Sequence, residues 1–218
     1  MRPLVFYRST VGKKIVMAVT GLILIGFVIV HMLDVTLAFR GPDAVNALGR
    51  FLHGTADELL WVVRVILLAA VILHIDAAWQ LTRIARAARP TGYAERRPQV
   101  STLAARTMRW GGVLLLVFIV FHLLHLTTGT LHPSFQPGDV YANLVTGFRV
   151  WPVALFYIAA MVALGLHLYH GAWSSVRTLG LTRPAANPFH RPLAIVIAVA
   201  VAVGFALVPL AVLVGWLR

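Results

Sequence analysis

The sequence predicts an all-α integral membrane bundle of five transmembrane helices, and three observations predict it. Of 218 residues, 60% are hydrophobic and only 12% are charged, too little charge to clothe a soluble domain of this size. The charges are segregated between long apolar runs. Those runs exceed the roughly 20 residues that a helix needs to cross a bilayer. The whole chain, 1–218, reads as one membrane domain whose solvent is mostly lipid.

Helices are expected at about 14–39, 58–84, 105–130, 151–177 and 191–216. The first apolar run, Ile15 to Phe39, is too long for a secretory signal core and contains His31 and Asp34. Gly41-Pro42 follows it as a breaker, and the second helix starts beside Asp57 and Glu58. Arg89-Pro90-Thr91-Gly92 separates the second helix from the third, and His132-Pro133 with Pro137-Gly138 separates the third from the fourth. Trp151-Pro152 opens the fourth, with proline in the first turn. Arg183-Pro184 and Asn187-Pro188 precede the fifth.

Lysine and arginine set the sense of insertion. One side collects Arg2, Arg8, Lys13 and Lys14, then Arg83, Arg86, Arg89, Arg96, Arg97, Arg106 and Arg109, then Arg177, Arg183 and Arg191. The other holds only Arg40, Arg50, Arg149 and Arg218. The basic side reads as the cytoplasm, which places the N-terminus inside, the C-terminus outside and the chain in the cytoplasmic membrane as a multi-pass protein. The net charge of +12 is thereby accounted for without nucleic acid, since no soluble domain is expected to present a basic face. There are no cysteines, which excludes disulfides and cysteine-held clusters or zinc but not a cofactor held by nitrogen.

Ionisable groups in a bilayer core are expensive and usually functional. The first four helices each carry histidine: His31, His74, His122 with His125, and His167 with His170. Neutral imidazole is the common protein ligand of haem iron, and two of them suit a six-coordinate electron-transfer haem. Measured from the helix midpoints, His31 and His122 each lie about 5 residues to the outside, and His74 and His167 about 3 residues to the inside. At about 1.5 Å per residue this makes two planes roughly 12 Å apart, each with one ligand pair drawn from two helices. His125 and His170 follow at i+3 on the same faces, so face alone leaves them open as ligands, while depth favours His122 and His167 by about 4.5 Å. Interhelical hydrogen bonding is the plainer role for any of these side chains. Gly21, Gly26, Gly111, Gly112, Gly165 and Gly171 either admit a flat macrocycle or serve ordinary close helix packing. Arg64, near the outer plane, either neutralises a haem propionate or pairs with Asp34 one turn beyond His31. Asp76 neighbours His74 in sequence but not on its face.

Ser9-Thr10-Val11-Gly12-Lys13-Lys14, Val30-His31-Met32, Gly41-Pro42-Asp43-Ala44 to Asn46, Phe51-Leu52-His53, Leu73-His74, Ala87-Ala88-Arg89-Pro90, Phe121-His122-Leu123-Leu124-His125 and the run Gly165 to Ser174 follow one another in an order and spacing that carry a resemblance. The chain resembles the five-helix, di-haem cytochrome b subunit of succinate:menaquinone oxidoreductases and fumarate reductases, over nearly its whole length. The resemblance implies that His31 and His122 bind the distal haem iron and His74 and His167 the proximal one. It implies two haems b, a quinone site, and a flavoprotein and an iron–sulfur subunit bound on the cytoplasmic side, with electrons passing from the iron–sulfur subunit through the haems to menaquinone. Succinate oxidation and fumarate reduction are the same assembly run in opposite directions.

For the quinone headgroup, His53, Asp57 and Glu58 stand at the outer start of the second helix, where helix capping explains the two carboxylates equally well. Ser9, Lys13, Trp173 and Arg177 are the inner candidates. The contrasting class is a haem-free membrane anchor or a small transporter, and a third reading is the haem subunit of another quinone-linked dehydrogenase.

Overall fold

A computed structural model describes residues 3–88, 103–181 and 190–218. The charges and breakers at Arg2, Arg89 to Gly92, Arg96, Arg97, Arg183-Pro184 and Asn187-Pro188 lie outside the described residues. Among them the secondary structure is helical, with no strand: α1 (Pro3–Arg8), α2 (Thr10–Thr36), α3 (Pro42–His53), α4 (Asp57–Ala87), α5 (Leu103–His122), α6 (Val140–Arg149), α7 (Trp151–Thr178) and α8 (His190–Leu213). Five spans are long and apolar enough to cross a bilayer: Thr10–Arg40, Asp57–Ala87, Leu103–Thr127, Trp151–Thr178 and Arg191–Leu213. The chain is a multi-pass, all-α membrane bundle.

The differences from expectation sit at helix ends and have local causes. The first span starts at Thr10 because Ser9 caps it, its Oγ accepting the Gly12 N–H at 2.9 Å. Lys13 then lies inside the helix, buried, with Nζ donating to the carbonyls of Tyr7 (3.1 Å) and Arg8 (2.7 Å). The third span leaves α-helical geometry at His122 and widens into a π turn over Leu123–Thr127. The last ends at Leu213, before a turn with Gly215 at φ +76°.

Two short helices, α3 and α6, lie between the spans, in segments that the sequence marks only by breakers. Chain connectivity puts both at the same end of the bundle, where they pack on each other. Asn46 Nδ2 donates to Asp139 Oδ1 at 2.9 Å, and Asn46 Oδ1 accepts the Tyr141 N–H at 3.0 Å. Asp139 also caps α6 by accepting the Ala142 N–H at 2.9 Å. The Ala142 N–H first, then the Asn46 amide, hold the Asp139 carboxyl below the usual carboxylate range. At the opposite end, α1 folds back on the start of α2.

The four histidine-bearing spans form an open ring. α4 packs on α2, α2 on α7, and α7 on α5, while α4 and α5 do not close against each other. α8 packs along α7 and reaches α2. Ala and Gly bring α7 and α8 close: a Cβ on Gly165 would come within 3.1 Å of Ala202 Cβ. Gly165 thus serves helix packing. The buried core lies where α6, α7 and α8 meet, around Phe148, Ala154, Tyr157, Val208 and Val212. The outer face of α4 presents Leu59, Trp61, Val65, Leu68 and Ile72, the apolar surface that lipid-facing helices need.

Candidate metal centres

In this ring α2 stands diagonally from α5, and α4 from α7; neither diagonal pair is in extensive contact. Yet across each diagonal two imidazoles face one another. The His31 and His122 ring centres are 5.8 Å apart with planes at 69°, and those of His74 and His167 are 6.2 Å apart at 55°. A metal–nitrogen bond of about 2 Å and roughly 1 Å more to each ring centre put two trans imidazoles about 6 Å apart across one metal. Among the described residues no group of three or more His, Asp or Glu side chains gathers to hold a metal ion. Two imidazoles leave a tetrahedral zinc site two ligands short, but they complete an iron whose other four positions belong to a macrocycle. Spacing, donor chemistry and the separation of the carrying helices all fit a bis-imidazole haem at each pair.

The α4–α7 pair shows how one ring is oriented. His74 Nδ1 lies 3.1 Å from the Met17 carbonyl oxygen and 3.2 Å from Thr20 Oγ1. Thr20 spends its own proton on the Val16 carbonyl at 2.7 Å. A carbonyl only accepts, so Nδ1 carries the hydrogen and Nε2 keeps its lone pair. An outer hydrogen bond of this kind fixes the tautomer and ring orientation of a metal-binding histidine. Across from it, His167 Nδ1 is buried without a hydrogen-bond partner. A Cβ on Gly21 would approach His74 Cε1 to 3.3 Å, and one on Gly112 would lie 3.8 Å from His167 Cε1. A Cβ at Gly26, Gly111 or Gly171 would meet no atom within 4 Å.

The α2–α5 pair is walled by aromatics. Phe27 stacks on His31 at 5.3 Å and Phe118 on His122 at 5.8 Å, each from one turn earlier, and Phe205 of α8 lies 5.6 Å from His31. His122 Nδ1 lies 3.4 Å from Tyr157 Oη.

The remaining candidates separate. His125 is fully buried and turned away from the His31–His122 pair by the π turn, with Nδ1 3.1 Å from Tyr157 Oη. His170 makes no hydrogen bond or ring contact among the described residues. Arg64 lies over the Trp61 ring at 4.9 Å and, among the described residues, forms no ion pair with Asp34. His53 ends α3, and Asp57 and Glu58 begin α4 beside an open depression of about 580 Å³ lined by Gly54 to Leu59. Neither carboxylate is the cap of α4, which starts from Ala56 without a side-chain hydrogen bond. At the other end Ser9 is occupied as a cap, Lys13 by main-chain carbonyls, and Trp173 by two guanidinium groups, Arg177 at 4.8 Å and Arg191 at 5.0 Å.

Three contributors escaped the sequence reading. Met17 acts through its carbonyl, which no side-chain pattern announces. Tyr157 stands ten residues before His167, about 2.8 turns and roughly 80° around the helix, so a face count does not align the two. His132, read only as part of a breaker, is buried and packs against His125 with ring centres 4.9 Å apart.

Near the α1 end, the Tyr7 hydroxyl donates to Asp76 Oδ2, and Gln80 Nε2 donates to the same oxygen at 2.6 Å. The hydrogen bond to Asp76, more than burial, pushes Tyr7 up to about 12. The folded value lies above the unfolded one of about 10, so the contact stabilises fully below that pH and is lost as pH rises through about 12. Alkaline difference spectra should therefore contain a late-ionising tyrosine phase that Tyr7→Phe removes; identical titrations would contradict the tie. No protein-family model, curated protein or solved structure matches this chain.

Proposed function

We propose that the chain is the membrane-anchor cytochrome b subunit of a succinate:quinone oxidoreductase, with two haems b held by His31–His122 and His74–His167. The observation that carries the reading is the pair of facing imidazole couples, 5.8 and 6.2 Å apart, on helices that otherwise stay apart. The resemblance of the motifs around these histidines to the di-haem subunit family supports the particular assembly.

In this reading the N-terminus is cytoplasmic and the chain resides in the cytoplasmic membrane. A flavoprotein subunit oxidises succinate, and an iron–sulfur subunit docks on the basic cytoplasmic face. Haem b supplies one-electron carriers between that subunit and menaquinone. The chain's own residues do the rest. His74 is oriented by Met17 and Thr20, and Phe27, Phe118 and Phe205 keep water from the outer pair. Arg64, half-buried on the outer half of α4, supplies positive charge for a propionate. Quinone chemistry needs a proton source at the headgroup, and Glu58, exposed beside the depression at the start of α4, can deliver one from water, with Asp57 and His53 next to it.

The test is a reduced-minus-oxidised spectrum of the purified complex with haem quantified per chain. Two haems with the sharp reduced bands of bis-histidine ligation are expected. One haem, or none, overturns the reading, and none leaves a haem-free anchor or transporter in its place.

A further inference from the structure

The two imidazole couples are held differently, and the difference gives a task to two side chains that bind no metal themselves. His74 hangs from a main-chain carbonyl, which enforces a proton on Nδ1. His122 has only Tyr157 Oη, 3.4 Å from its Nδ1, and a phenol hydroxyl either donates or accepts. Tyr157 has one proton and two imidazole neighbours, because His125 Nδ1 lies 3.1 Å from the same oxygen.

The two choices have opposite outcomes. A proton given to His122 makes Nδ1 the acceptor and puts the hydrogen on Nε2, where it blocks metal binding. A proton given to His125 turns the oxygen lone pairs toward His122, whose Nδ1–H then donates to them and whose Nε2 is bare.

His125 is placed for the second outcome. The Tyr157 oxygen lies 3.1 Å from its Nδ1 against 3.4 Å from that of His122, and an O–H donor makes the shorter contact. His125 is 0% exposed, and Phe121 stacks on it at 5.4 Å. On its other side it packs on His132, which is itself locked: Nδ1 accepts the Ser134 N–H at 3.1 Å, so Nε2–H donates to the Asn143 carbonyl at 2.9 Å. Gly147 leaves room for both rings and no more, since a Cβ there would come within 2.7 Å of His125 Cε1 and 2.9 Å of His132 Nε2. Accepting at Nδ1 leaves the His125 hydrogen on the buried, unpartnered Nε2, a cost that the arrangement carries. We infer that His125 takes the Tyr157 proton, and that Tyr157 and His125 are positioning residues holding His122 in the Nδ1–H tautomer, with Nε2 presented to the metal of the His31–His122 couple.

This rests on the haem reading, and the experiment separates the two. In the purified complex, the wild type must first show two haems; fewer would overturn the haem reading before any variant is made. His125→Leu takes away the acceptor, frees the hydroxyl to turn to His122, and should lower retention of the haem that His31→Ala lacks by about 10-fold against a haem-scavenging apoglobin. His125→Gln restores an acceptor oxygen and should retain that haem as the wild type does. Tyr157→Phe removes the acceptor of the His122 Nδ1–H, weakens the imidazole as a donor to ferric iron, and should raise the midpoint potential of the same haem. A tenfold change in its ferrous-to-ferric ratio corresponds to 59 mV for one electron. The other haem, unmoved in every variant, reports an intact bundle. Equal retention in His125→Leu and the wild type, equal losses in the Leu and Gln variants, or a potential shift on the His74 haem would overturn the inference.

Discussion

Replacing His74 by alanine is expected to take the haem content of the complex from two per chain to one, and replacing His31 to remove the complementary haem. The two couples share no side chain. Each draws on its own diagonal of the helix ring, and helix rise separates them by roughly 12 Å. Loss of one imidazole therefore leaves the other couple with both its ligands and its neighbours. The partner substitutions sharpen the test. His122→Ala should reproduce the spectrum of His31→Ala, and His167→Ala that of His74→Ala, because the structure sets those rings opposite each other. The double variant His31→Ala/His74→Ala should hold no haem. Retention of both bands in either single variant, or loss of one and the same band in both, would sink the assignment.

The second large effect is expected at Gly147. Its Cβ position falls well inside van der Waals contact with two imidazoles that have nowhere to go: 2.7 Å from His125 Cε1 and 2.9 Å from His132 Nε2. Flexible side-chain ends yield to such a contact, but these are rigid rings. His125 is wedged among Phe121, Phe148 and Tyr157, and His132 is tied at both nitrogens. Overpacking of a rigid interior costs about 1–3 kcal/mol. For a chain of this size each kcal/mol moves Tm by roughly 2–4 °C. Gly147→Ala should thus lower the melting temperature of the detergent-solubilised complex by several degrees, and Gly147→Val by more, with the haem on His31–His122 lost before the one on His74–His167. A melting curve that superposes on the wild type would show that α6 can shift to make room.

Much of the architecture was legible because lipid makes strong demands. Five apolar runs of sufficient length needed no tertiary information, and the depths of His31, His74, His122 and His167 followed from charge asymmetry and helix rise. The couples that face one another in the fold are the ones those depths select. What escaped is of another kind. α3 and α6 are short and carry Pro42, Gly49 and Gly147, so the sequence marks them only by breakers until their mutual packing through Asn46 and Asp139 is seen. His125 shares a face with His122 in an ideal helix, and only the π turn separates them. Tyr157 sits inside an apolar run, where no sequence pattern sets it apart from a core aromatic. The Met17 carbonyl is invisible to any reading of side chains.

The diagonal arrangement also has a consequence for how the protein is made. The ribosome delivers α2 and α4 early, and they can zip together as soon as both are threaded into the bilayer. Neither couple closes at that stage, because His31 waits for α5 and His74 for α7. The interlacing of early and late segments means that a nascent chain carries only half-sites until its third crossing completes the His31–His122 couple, and the His74–His167 couple closes only with the fourth, so on the haem reading the two porphyrins would load in that order.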